Sequence, residues 1–99
     1  MDNLERKQVI QKIESFRRLK QDWNGNGASP FSEKLITKAL DLAKQLTPVP
    51  NVFPTARNSI QFEWETDNIY LELEVFEDKL EIFNQAFFDG KEIMNIGNE

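Results

Sequence analysis

Asp22, Asn24, Asn26, Gly27 and Glu33 stand at the spacing D-x-[DN]-x-[DN]-G-x5-E, the donor pattern of a calcium loop between two helices. The donors are hard oxygens, and the glycine permits the sharp turn that such a loop needs. Three features point elsewhere. Ser29 takes the position that is normally apolar, Pro30 falls inside the loop, and Ser32-Glu33 already reads as a helix start. Residues 22–30 are therefore expected to form a capped corner between helices, with Trp23 aimed at the core and no metal or cofactor assigned. A small-ligand or calcium-binding domain centred on residues 22–33 is the alternative reading.

A second constellation lies further along. Glu63, Glu72, Glu74 and Glu81 fall in the same strand phase as Tyr70, Phe76 and Phe83, and the expected register sets Glu74 directly opposite Glu81. Like charges across a strand pair are destabilising. The seven residues therefore read as a partner-binding surface, on which carboxylates steer a basic partner and aromatics supply contact area. Self-association through the same aromatics needs Lys or Arg from elsewhere to offset the acid. Glycosidase-type chemistry needs two carboxylates across a cleft with separated pKa values, and glutamates spread over an open sheet face lack that burial. Trp23 and Trp64 could stack on a sugar or a base, but Trp64 shares the phase of Ile60 and Phe62, and both tryptophans are read as packing residues. No enzyme is expected.

Composition narrows the chemistry. The chain of 99 residues has no cysteine and no histidine, which removes disulfides, thiolate nucleophiles, the commonest general base and the commonest transition-metal ligand. A formal net charge of −5 disfavours direct nucleic-acid binding. The charge is uneven: residues 1–46 carry nine Lys/Arg and six Asp/Glu, whereas residues 47–99 carry three and eleven. The basic cluster Arg17, Arg18 and Lys20 closes a helix, where cations suit the dipole. A charged start with no apolar run after it implies no signal peptide, no transmembrane span and a cytoplasmic setting.

The elements that position these groups follow from periodicity. Asp2 and Glu5 resemble a capping box, and Val9, Ile10, Ile13, Phe16 and Leu19 form a stripe, predicting a helix over about residues 3–20. Pro30-Phe31-Ser32-Glu33 starts a second helix, whose buried face is Leu35, Ile36, Ala39, Leu40, Ala43 and Leu46 and whose end is Thr47-Pro48-Val49-Pro50. Beyond a linker at residues 47–51 the period becomes two. Val52 and Phe53 suggest a short edge strand before Pro54. Residues 60–65, 69–76 and 80–83 alternate as strands joined by turns at Thr66-Asp67 and Glu77-Asp78. The expected rows are Ile60, Leu73 and Ile82 on the core side and Gln61, Glu72 and Phe83 outside. Phe87-Phe88-Asp89-Gly90-Lys91 offers a further hairpin, with a last strand at residues 91–96 and a fraying end at Asn98.

The expected fold is α+β: one domain over residues 1–99, with a helical hairpin at 3–46 and a sheet at 52–96. Both helices are N-terminal and pack on one face of an antiparallel meander of three to five strands.

The segment Trp23-Asn24-Gly25-Asn26-Gly27-Ala28-Ser29-Pro30, with the later Pro54-Thr55 and Glu63-Trp64, resembles a family of small bacterial proteins with the pattern Trp-Asp/Asn-Gly-x-Gly-Ala-x-Pro, then Pro-Thr and Glu-Trp. The resemblance covers about residues 19–75. It implies a fold of this kind and a bacterial or mobile-element origin, without assigned catalytic residues. Arg57-Asn58-Ser59 departs from it, standing where a more glycine-rich turn is expected. The reading that results is a non-enzymatic interaction or regulatory module whose partner is a protein, basic or nucleic-acid-binding. An inhibitor that occupies a nucleic-acid-binding groove by its negative charge is the specific form.

Overall fold

The computed structural model describes the backbone of residues 2–67, 69–88 and 91–97, and the side chains of residues 3–67 and 69–83. Two α-helices, α1 (Asp2–Ser15) and α2 (Glu33–Gln45), precede an antiparallel sheet of β1 (Asn51–Thr55), β2 (Ser59–Glu65), β3 (Ile69–Val75), β4 (Leu80–Phe88) and β5 (Lys91–Gly97). The strands lie side by side in chain order, so the protein is α+β. Only α1 is at the N-terminus; α2 is internal. The expected Asp2 side-chain cap, the 89–90 hairpin turn and the fraying at Asn98 lie outside the described residues.

The first helix is shorter than its stripe suggests. It stops at Ser15, and Phe16–Arg18 tighten into a 3-10 turn closed by Leu19 N–H on the Phe16 carbonyl (3.2 Å). Tightening of a final turn satisfies carbonyls that the α pattern leaves open, and Phe16 stays buried. The second helix starts as its sequence dictates: Ser32 Oγ accepts from Leu35 N–H at 3.1 Å. At its far end the Arg6 guanidinium donates to the carbonyls of Ala43 (2.8 Å) and Leu46 (2.7 Å). A cation thus meets the negative end of the helix and ties α1 to α2.

Ile13, Phe16, Leu35, Ile36, Ala39, Leu40 and Ala43 form one buried cluster with Val52, Ile60, Phe62, Leu73 and Val75. Among the described residues this cluster ends at β3. Leu80 and Ile82 of β4 share the phase of Leu73 and Val75 yet are 42% and 43% exposed, and Ile69 is 50% exposed. The expected core position of Ile82 is therefore not buried.

Strand β1 runs through Pro54 to Thr55 instead of stopping before it. An edge strand tolerates proline because one of its sides needs no N–H donor. Register differs from expectation at one junction. Ile60 pairs with Val75 and Phe62 with Leu73, a shift of two residues, because the β2–β3 turn is centred one residue later in the chain: Thr66 N–H closes on the Ile69 carbonyl at 2.9 Å. An even shift leaves every side chain on its expected face. At the next junction Leu73 pairs with Ile82, Glu72 with Phe83 and Glu74 with Glu81, as anticipated.

Candidate functional site

Residues 22–30 close on themselves. Asp22, Gly25 and Gly27 have positive φ of 70°, 77° and 85°, the conformation glycine takes freely and aspartate tolerates. Asp22 Oδ1 accepts from Gly27 N–H (2.6 Å), and Asn24 Oδ1 accepts from the N–H groups of Asn26 (2.8 Å) and Ala28 (3.1 Å). The Glu33 carboxylate is held by Arg17, whose Nε lies 2.6 Å away. That hydrogen bond lowers the Glu33 pKa and raises that of Arg17. The side-chain oxygens of Asp22, Asn24 and Glu33 thus build the turn, cap its backbone or pair with a cation. Among the described residues no group of three or more Asp or Glu side chains is placed to hold a metal ion.

Both tryptophans are half-buried with their N–H groups satisfied. Trp23 donates to the Ser29 carbonyl (2.9 Å) and packs 5.8 Å from the Phe31 ring; Trp64 donates to the Pro48 carbonyl (2.6 Å) and lies 6.4 Å from Phe62. Leu46, Pro48, Trp64, Ile69 and Leu71 line an uncharged groove of about 390 Å³.

The strand positions alternating with the core form the outer face. There Glu63 pairs directly with Glu72 across β2 and β3. The Tyr70 hydroxyl is within hydrogen-bonding reach of both: it donates to Glu63 Oε2 at 2.6 Å and contacts Glu72 Oε2. Gln61 Nε2 donates to the same Glu72 oxygen at 3.1 Å. Burial, then the bonds to Glu63 and Glu72, push the Tyr70 pKa well above the usual phenol range. A neutral phenol between two carboxylates is the form those contacts favour.

Two further carboxylates behave differently from their sequence reading. Glu74 is only 8% exposed. Its carboxylate is gripped by Arg57, through Nε at 3.1 Å and a second guanidinium nitrogen, and by Ser59 Oγ. Glu81, opposite it, pairs with Lys79 at 3.1 Å. Both members of the anticipated like-charge pair are therefore compensated within the chain, and Glu74 is not available as a docking carboxylate.

Phe76 is also displaced from the surface. It sits in the loop after β3, where its carbonyl accepts from Lys38 Nζ at 2.7 Å and Lys79 Nζ lies 4.8 Å from its ring centre. Glu63, Tyr70, Glu72 and Phe83 do come together, with Glu81 two residues along β4 from Phe83. Sequence reasoning placed Gln61 on the outer row without a role and missed Arg57 and Ser59 as site residues. The signal was the departure from a glycine-rich turn, since Asn58, with φ of 60°, supplies the left-handed position and frees its neighbours to carry functional side chains.

No protein-family model matches the chain, and no curated protein or solved structure is significantly similar to it. No described helix is long and apolar enough to cross a membrane.

Proposed function

We propose that the protein is a non-enzymatic interaction module that binds a basic protein partner through the outer face of its sheet. The reading has both helices covering the opposite face, leaving Glu63, Tyr70, Glu72, Glu81 and Phe83 free to meet the partner. One observation carries it: among the described residues no cation pairs with Glu63 or Glu72, whereas Glu74 and Glu81 each have one. Two opposed carboxylates held by a phenol and an amide keep their negative charge unneutralised, and an approaching Lys or Arg gains from both. Tyr70 and Phe83 add aromatic area beside that charge. The resemblance to small bacterial proteins supports an origin in a bacterium or mobile element, and the unpaired carboxylates suit a nucleic-acid-binding protein as the basic partner.

The test is affinity capture from the bacterial host with the Glu63→Lys/Glu72→Lys variant beside the native chain. Capture of a basic protein that weakens with salt and disappears in the variant is the expected result. A captured set unchanged by the double reversal overturns this face as the site.

A further inference from the structure

The two halves of the chain carry opposite charge: residues 1–46 sum to +3 (nine minus six) and residues 47–99 to −8 (three minus eleven). Among the described residues the ion pairs of Arg17, Arg57 and Lys79 each stay within one half. Arg17 bonds to Glu33, which holds the end of the first helical segment beside the start of α2. Arg18, Lys20 and Lys34 stand close to these residues in the chain, are exposed, and have no bonded partner among the described residues. At the outer face Glu63, Glu72 and the exposed Glu65 equally have no cation among the described residues. Unpaired cations beside the Arg17–Glu33 contact in the chain thus complement unpaired carboxylates on the sheet.

We infer that the outer sheet face docks the Arg18, Lys20 and Lys34 end of a second copy of this chain. The inference rests on the proposed role of that face and names an occupant for it. Sheet-to-sheet pairing would oppose like charges, so the acidic face of one copy meets the basic end of the next. Such a contact uses two different patches and is heterologous, and it therefore extends into chains instead of stopping at a dimer. The net charge of −5 opposes approach at long range. At physiological ionic strength that repulsion is screened beyond about 8 Å, while contact pairs are screened much less.

Sedimentation velocity of the full chain at physiological salt, over a wide concentration range, tests the inference. The native protein is expected to gain average mass with concentration without levelling at a dimer, and to lose it in high salt. Glu63→Lys/Glu72→Lys and Lys20→Glu/Lys34→Glu are each expected to remain monomeric, with native circular dichroism confirming their folds. An equimolar mixture of the two is expected to associate again, since every contact then joins opposite charges. A native protein that stays monomeric throughout, association unaffected by either reversal, or a mixture that stays monomeric overturns the inference. Monomeric native protein that still captures a basic host protein through Glu63 and Glu72 removes self-docking alone and leaves the proposed function standing.

Discussion

Glu63 and Glu72 occupy one cross-strand pair, and the single hydroxyl proton of Tyr70 lies between their carboxylates. Deleting that hydroxyl leaves two opposed anions with the Gln61 amide as their one side-chain donor among the described residues. Tyr70→Phe is expected to cost about 1–2 kcal/mol in urea unfolding at neutral pH, and adding Glu72→Gln should recover most of the loss. A Tyr70→Phe midpoint equal to that of the native protein would show that the hydroxyl does not mediate the pair.

The same phenol sets an alkaline limit. Its folded-state pKa is raised by burial and by both carboxylates, whereas the unfolded chain ionises its tyrosine near about 10. A raised folded value gives stability that is fully present below the unfolded value and is lost as pH rises towards the folded one. Denaturant stability should therefore fall above about pH 10, and less steeply in Tyr70→Phe. Because the chain has a single tyrosine, phenolate absorbance follows this directly and should appear together with loss of tertiary signal. Phenolate formation near its ordinary pKa in a still-folded protein contradicts the assignment.

Arg57 and Glu74 are an asymmetric pair, with the Arg57 side chain 69% exposed and the carboxylate nearly enclosed. Breaking a buried ion pair costs about 3–5 kcal/mol, and solvent around the guanidinium reduces that. Arg57→Ala is expected to lose about 2 kcal/mol. Glu74→Gln in the Arg57→Ala background should restore part of it, because a neutral amide still bonds Ser59 and no longer faces Glu81 as an anion. Thermal unfolding of the cycle checks this; a double variant no better than the single one would sink it.

The corner and the β1–β2 turn depend on backbone more than on contacts. A Cβ built on Gly27 meets nothing within 4 Å, but its φ is +85°. Gly27→Ala is therefore expected to cost about 1–2 kcal/mol through conformation alone. Asn58→Ala should lose a comparable amount and Asn58→Gly almost nothing, as measured by chemical denaturation. Equal stabilities for the Ala and Gly variants at position 58 would argue against a left-handed requirement there.

Much of the architecture was legible because it is written locally. Ser32 and Glu33 announce the start of α2, two-residue alternation marks the strands, and Phe76-Glu77-Asp78-Lys79 fixes the β3–β4 register. What escaped depends on longer range. Phase alone cannot distinguish β2–β3 registers two residues apart, because both keep the same faces. Nor does phase give burial: Glu74 and Glu72 are equivalent in alternation, and only Arg57, arriving from another turn, makes Glu74 an interior residue. Ile82 fails in the opposite sense, being apolar and in phase but on β4, beyond the buried cluster. For the candidate site, Glu63, Tyr70, Glu72 and Phe83 were readable as a group, whereas the cations that compensate Glu74 and Glu81 were not.

Lys38 carries a different consequence. Its ammonium bonds the carbonyls of Phe76, Glu77 and Lys79 from 38, 39 and 41 residues away in the chain. A tight hairpin turn is ordinarily the part of a sheet that a short peptide can form unaided. Here the β3–β4 turn closes on itself through Phe76 N–H on the Lys79 carbonyl at 3.0 Å, yet its carbonyls also take a cation from α2, so loosening of the helix is expected to loosen the tip of a hairpin far away in the chain.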